Sequence, residues 1–268
     1  MTQTSPQNND HDEKKARVRD YFSRTAENYV TSVSHRTGSD LPRLIELGEW
    51  DTQQQALDVA TGGGHTALAV APHVGRVTVS DLTPRMLETA RAFLLSQNVT
   101  NAEFVQADAE ELPFADASFD RVTCRIAPHH FPDVARFVQE VARVLKPDGL
   151  FLLIDNIAPS VPELDTFINT VEKWRDSSHG RCSTLEEWQH FFASAGLHVE
   201  QQELFSRTHD YDDWTARSQL SASERADLER FILAANEDIQ RYFAVTARPD
   251  GHIKQFNTEV LLLKGRKR

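Results

Sequence analysis

The chain has 268 residues, 40% of them hydrophobic and 26% charged, with a formal net charge of −11. That length suits one large α/β domain or two small ones, and the acidic balance speaks against a nucleic-acid surface, which needs an excess of Lys and Arg. Two cysteines, Cys124 and Cys182, are too few for a disulfide framework and stand in no metal-ligand spacing, and no apolar run approaches the roughly 20 residues of a membrane span.

Residues 1–12 read as a disordered polar tail without a signal-peptide core. From Glu13 a helix is expected, with Ala16, Val18, Phe22, Ala26 and Tyr29 as an imperfect apolar stripe. A second short helix over residues 41–47 closes at Gly48. This arm, residues 13–50, precedes the first strand and must lie against the sheet from outside, either over a ligand site or as core cover. Ala56 to Ala60 reads as a buried strand, followed by Gly62-Gly63-Gly64 and a helix from His65. Three consecutive glycines let the backbone bend sharply and let a ligand reach the main chain, and the helix start offers unpaired N–H groups.

Arg76 to Asp81 forms a second strand ending in an acid, and Thr83-Pro84 starts the next helix. Glu103 to Gln106 and Phe119 to Arg125 are further strands. Pro132-Asp133 open a helix whose apolar residues run from Val134 to Leu145, and Leu150 to Asp155 is an almost unbroken apolar strand. Strands alternating with helices, and apolar throughout, indicate a parallel sheet covered on both faces.

The C-terminal part breaks that rhythm. Helices are expected over 162–174, with Ser160 and Glu163 at capping-box spacing, and over 184–195, with Thr184 and Glu187 likewise. Strands follow at 197–205 and 258–263, separated by about 50 residues, where a hairpin needs only about 2–5. Two lid-like insertions are thus expected, 156–182 and 206–255, the latter with one helix from Ala222 to about Phe243. The basic run Lys264 to Arg268 reads as a solvated tail. Residues 13–268 are taken as one domain.

Gly62-x-Gly64-x-x-Ala67 fits a dinucleotide-binding turn, and Asp81, at the end of the next strand, suits a ribose diol. That much is shared by NAD-binding and S-adenosylmethionine-binding folds. Asp58, inside the first strand, is placed to orient the turn and meet the ammonium of an amino-acid ligand. Asp108-Ala109, after the third strand, is placed to accept a hydrogen bond from an adenine amino group. Adenine, ribose and an aminoacyl end without pyrophosphate describe S-adenosylmethionine.

The succession LDVATGGGHTALAVA, VTVSDLTPRMLETAR, FVQADAEELPFADASFDRVTCR and EVARVLKPDGLFLLID resembles class I S-adenosylmethionine-dependent methyltransferases, within them the ubiquinone/menaquinone-biosynthesis C-methyltransferase-like (type 11) group. The resemblance covers residues 15–205. It implies a seven-stranded, doubly wound, Rossmann-like α/β sheet of order 3-2-1-4-5-7-6 with the last strand antiparallel, and S-adenosyl-L-methionine as cofactor. By position it implies that Asp58, Ala60, Gly62 and Gly64 meet the methionine part, with Arg125 on the same side. Asp81 and Leu82 would meet the ribose, Met86 the region beside the adenine, and Asp108 and Ala109 the adenine. Most of the family has glycine where this chain has Ala60.

Methyl transfer needs alignment, dryness and sometimes a base. His129 and His130, after the fourth strand, are candidate bases, and Tyr29 and His35 of the arm are candidates to fold over the cofactor. Cys124 reads as a buried strand residue rather than half of a metalloid-binding thiol pair, and no metal is expected. The aromatic residues Trp174, Trp188, Phe205, Tyr211, Trp214, Phe231 and Tyr242 line an acceptor pocket or belong to the core. The expected function is methylation of a small-molecule acceptor at carbon or oxygen. Alternatives are a non-catalytic S-adenosylmethionine-binding module, an NAD(P)-dependent oxidoreductase, or protein or RNA methylation. The expected setting is the cytoplasm, with no nucleic-acid partner, no integral membrane association, and a monomer or homodimer.

Overall fold

The computed structural model describes residues 6–31, 38, 40–216, 218 and 220–268, and within the first helix the side chains of residues 10–26. The chain runs α1 (Pro6–Thr31), α2 (Asp40–Leu47), β1 (Gln55–Val59), α3 (His65–Val70), β2 (Arg76–Asp81), α4 (Pro84–Ser96), β3 (Ala102–Gln106) and β4 (Phe119–Arg125). It continues through α5 (Val134–Val144), β5 (Leu145–Ile157), α6 (Pro162–Arg175), α7 (Leu185–Ser194), β6 (Leu197–Asp210) and α8 (Tyr211–Ala216). It ends with α9 (Ala222–Leu233), α10 (Glu237–Tyr242), β7 (Thr246–Ala247) and β8 (Ile253–Lys267).

The sheet order is β3-β2-β1-β4-β5-β8-β6, with the two-residue β7 paired to β8. Strands β3, β2, β1, β4 and β5 are parallel, and β8 runs antiparallel to both β5 and β6. This is the expected order with one short strand added. The order reverses between β1 and β4, and in open α/β sheets ligands bind beyond the carboxyl ends of the strands at such a switch point.

Period-two alternation sends neighbouring β5 side chains to opposite faces. Phe151 and Leu153 join α5 and α7, with Phe137, Val141, Trp188 and Phe192. Leu152 and Ile154 join Leu44 of α2. Farther along the sheet, Val77 and Val79 pack with Ala67, Val70, Ala90 and Leu94 of α3 and α4. With helices on both faces, strand residues gain by being apolar throughout.

Several expectations are corrected. Residues 6–12 of the expected tail are helical, as part of α1, and Lys14 pairs with Asp10 one turn away (2.7 Å). No capping box forms at Ser160, because its hydroxyl donates to Glu186 (2.6 Å) and Val161 takes the N-cap position. The box at Thr184 and Glu187 is present. The helix expected over 222–243 is split, because Asn236 accepts from Ile239 N–H and starts α10 afresh.

Strands β6 and β8 outrun their apolar runs and pair from Leu197↔Lys267 to Asp210↔Gln255. The two ends of the expected insertion 206–255 are therefore ladder, and α8, α9 and α10 form a helical cap between them. That cap has its own core: Tyr211, Trp214, Leu228 and Ile232 with Phe167 and Val171 of α6 and Phe256 of β8. The basic C-terminal run is strand rather than tail. Lys264 pairs with Glu49 and Glu200, and Arg266 with Glu49 (2.9 Å) and Glu200 (2.5 Å). No helix among the described residues is long and apolar enough to cross a membrane.

Candidate active site

The turn after β1 is the floor of a cleft enclosing ≈ 940 Å³, open mouth included. Ala60 leaves the strand at φ 51° and Gly62 follows at φ 55°. A Cβ on Gly62 would meet nothing nearer than Met86 Cε at 3.9 Å, whereas one on Gly64 would strike Leu94 Cδ1 at 2.5 Å. Gly62 thus faces open space in the cleft, and Gly64 makes room for α4.

Two acids brace this turn. Asp58 accepts from the hydroxyls of Thr61 and Thr123 (2.7 Å each), tying β1, the turn and β4 together from below. Asp81 accepts from the N–H groups of Gly62 (3.1 Å) and Thr83 (2.9 Å) and lines the cleft. Burial pushes both carboxyls up to about 6 against those hydrogen bonds, and the Asp58 charge adds to the effect on Asp81.

Helix α1 supplies the opposite wall. Lys15, Val18 and Phe22 recur at helical spacing and all line the cleft. Lys15 reaches Asp108 (2.7 Å) and Glu110 (2.6 Å) in the loop after β3. Burial opposes its charge, but the two carboxylates prevail and raise its pKa. Glu110 in turn accepts from Asp133 N–H (2.6 Å).

The two histidines after β4 have different surroundings. His129 is buried, with Nδ1 against Asp155 Oδ1 (2.6 Å) and its N–H on Asp155 Oδ2 (3.0 Å). Burial disfavours its charge, yet Asp155, with Glu172 and Asp176 farther off, raises its pKa. His130 stands on the cleft wall with Phe22 edge-on against it, ring centroids 5.0 Å apart. Its Nδ1 lies 3.1 Å from the Ser178 carbonyl and 3.2 Å from the Ser178 hydroxyl. Since that hydroxyl donates to Asp176 (2.6 Å), both partners are acceptors. Nδ1 therefore carries the proton and Nε2 the lone pair. Burial, then the neighbouring His129 charge, pushes His130 down to about 4, so it is neutral at pH 7.

The cleft wall thus includes Ala60, Gly62, Asp81, Leu82, Met86, Asp108, Ala109, Arg125 and His130. Asp58 and His129 lie behind it, and Gly64 faces α4. Arg125 is also ion-paired to Asp40 of α2 (2.8 Å), both buried. His35 and the side chain of Tyr29 lie outside the described residues. Cys124 and Cys182 are buried in separate cores, and burial raises both thiols far above their ordinary range. Among the described residues no cluster fits a metal ion.

Of the seven aromatic residues considered for an acceptor pocket, Trp188, Tyr211 and Trp214 are core, and none lines the cleft. The expected lid 206–255 gives the cleft no described wall, because its apolar faces close on α6 instead. Lys15, Ile126, Ser178 and Asp176 were not singled out in the sequence. Val18 and Phe22 lay on the apolar stripe, but the partners of Lys15 and Ser178 are distant in the chain and left no local signal.

The cleft's described Lys and Arg residues, Lys15 and Arg125, are both engaged by carboxylates. Acids at the ends of successive strands suit hydroxyl, amino and cationic groups. Fold and cleft are those of a Rossmann-like protein for a nucleoside bearing positive charge.

Comparison with known proteins gives the family. Residues 57–153 match the methyltransferase domain family. The methyltransferase YcgJ of Bacillus subtilis is 39% identical over 92% of this chain and 98% of its own length. A solved structure of the BH2331 methyltransferase of Bacillus halodurans is 41% identical, covering 86% of this chain and 99% of that one, with a TM-score of 0.84. The ubiquinone/menaquinone biosynthesis C-methyltransferase UbiE of Brucella anthropi is 34% identical over 58% of this chain and 63% of its own. The chain belongs to the S-adenosylmethionine-dependent methyltransferases. The oxidoreductase alternative is set aside.

Proposed function

We propose that this enzyme methylates a carbon or oxygen atom of a small-molecule acceptor, with His130 receiving the proton. When bound, S-adenosylmethionine supplies an electrophilic methyl group on a sulfonium. Asp81 accepts hydrogen bonds from the ribose diol, with Leu82 beside it. Asp108 accepts from the adenine amino group, and Ala109 and Met86 pack against the base. The open backbone at Ala60 and Gly62 receives the methionine end, with Arg125 on its side, while Asp58 holds the turn from below. Val18 and Phe22 exclude water, which strengthens every polar contact inside.

The observation that carries the acid–base role is the fixed tautomer of His130: Ser178 holds Nδ1–H, so the free lone pair belongs to Nε2. His130 Nε2 would take the acceptor's proton as the acceptor atom gains the methyl group that the bound cofactor would supply. Ser178 and Asp176 are positioning residues behind it, and His129 with Asp155 sets its electrostatics.

An acceptor screen with isotopically labelled methyl donor and mass readout tests this reading. A labelled product is expected, with turnover lowered about 10²–10⁴-fold in His130→Gln, the usual contribution of a general base. Failure of the purified protein to bind S-adenosylmethionine refutes the site; undiminished turnover in His130→Gln refutes the base.

A further inference from the structure

A second hollow opens on the other side of His130, Phe131 and Pro132, which are walls of both cavities. Its outer walls come from α1, α6 and the 177–183 segment, and they carry Lys14, Arg17, Lys173 and Arg181 against one carboxylate, Asp133.

Pairing divides the four cations. Arg181 is held by Asp165 (2.8 Å) and Glu187 (2.7 Å), and Lys14 by Asp10. Lys173 donates to the His179 carbonyl (3.2 Å), and among the described residues neither it nor Arg17 has a carboxylate partner. The hollow's own acid, Asp133, caps α5 by accepting from Arg136 N–H (2.9 Å). Two cations without a carboxylate in ion-pair reach among the described residues, on two different helices, therefore border a hollow that the neutral His130 also lines.

We propose that this hollow anchors the methyl acceptor and selects acceptors bearing an oxyanion, a carboxylate or phosphate group, through Arg17 and Lys173. The inference rests on the methyl-transfer reading and specifies its substrate class. An oxyanion near both side chains gains charge-assisted hydrogen bonds. The remainder of a small acceptor then lies along the His130–Pro132 partition, beside the cofactor cleft. Gly180 keeps this arrangement tight, because a Cβ there would come within 3.0 Å of the His129 carbonyl.

The test uses full-length protein with isotopically labelled histidine, both ligand-free and loaded with S-adenosylhomocysteine. Inorganic phosphate and acetate are titrated separately at constant ionic strength, and the His130 ring signals are followed. Saturable shifts are expected, and comparing the two anions shows which oxyanion the hollow takes. The double variant Arg17→Gln and Lys173→Gln should weaken binding about tenfold, as two partly hydrated charge-assisted bonds are lost. Arg181→Gln, whose charge is already engaged, should change it less than about twofold. Both positions of the double variant are exposed, so an unaltered melting temperature is expected, and the single variants serve if it is not. A His130 signal that never saturates, or a double variant that binds as the parent does, overturns the subsite. Calorimetry with S-adenosylhomocysteine on the same samples keeps the readings apart, because its binding can persist while the subsite fails.

Discussion

Asp58 and Asp81 are carboxylates held at about 6, chiefly by burial. A pKa raised in the folded state means that, between about 4 and 6, the folded chain keeps protons the unfolded chain has released. The resulting stabilisation is complete below the ordinary value of 3.8 and is lost as the pH rises through about 6. At neutral pH both groups are therefore ionised against the preference of their surroundings. A ligand bringing diol donors and positive charge favours the ionised forms. Binding of S-adenosylmethionine near pH 6 should release protons, and near pH 8 should release almost none. Calorimetry in buffers of different ionisation heat reads this directly, and proton uptake at pH 6 would contradict it. Backbone strain marks the same wall. Ala60 at φ 51° and the β-branched Ile126 at φ 56° both sit on the cleft in the left-handed region, where strain tends to collect at functional sites.

Among the elements, α1 is the wall of the cleft that comes from outside the parallel sheet and its loops. It lies across the mouth with Val18 and Phe22 inward and is fastened by Lys15 to Asp108 and Glu110. Those pairs are only part-buried, so their net worth is modest, about 1 kcal/mol. Lys15→Ala should accelerate cofactor release by about fivefold, the factor corresponding to that energy, while leaving the melting temperature within a few degrees. Stopped-flow displacement measures it, and an unchanged release rate would show that α1 does not gate the cleft.

On the scale of the whole molecule, the chain has a cofactor half and a separately packed cap. The cap's core joins α6, α8, α9 and α10 to the outer end of β8, and none of residues 206–255 described here reaches the cleft. Trp214 is nearly inaccessible there, edge-on to Phe256 and beneath the Arg175 guanidinium. Trp214→Ala should cost about 3–5 kcal/mol of stability by leaving a cavity. The folded fraction should still bind S-adenosylmethionine with unchanged affinity, by denaturation and calorimetry together. Weakened binding in that variant would mean that the cap supports the cleft after all.

The sequence by itself shows the glycine turn and the acids at Asp58, Asp81 and Asp108, because each depends on local pattern: apolar runs, turn glycines and strand positions; the sheet order came only from the family resemblance that those motifs carry. It also placed the histidine pair after β4, but could not tell the two apart. Only the tertiary structure did that, by packing Asp155 against His129 and the Asp176–Ser178 segment against His130. The same holds for the cap. The 206–255 stretch reads as a lid because a long connection between strands resembles one, yet its helices bury their apolar faces on α6. Lys15, Arg17 and Lys173 look alike in the sequence, as ordinary cations on helices. The fold alone decides which carboxylates lie within reach, fastening Lys15 across the cleft and, among the described residues, leaving Arg17 and Lys173 without such partners at the second hollow.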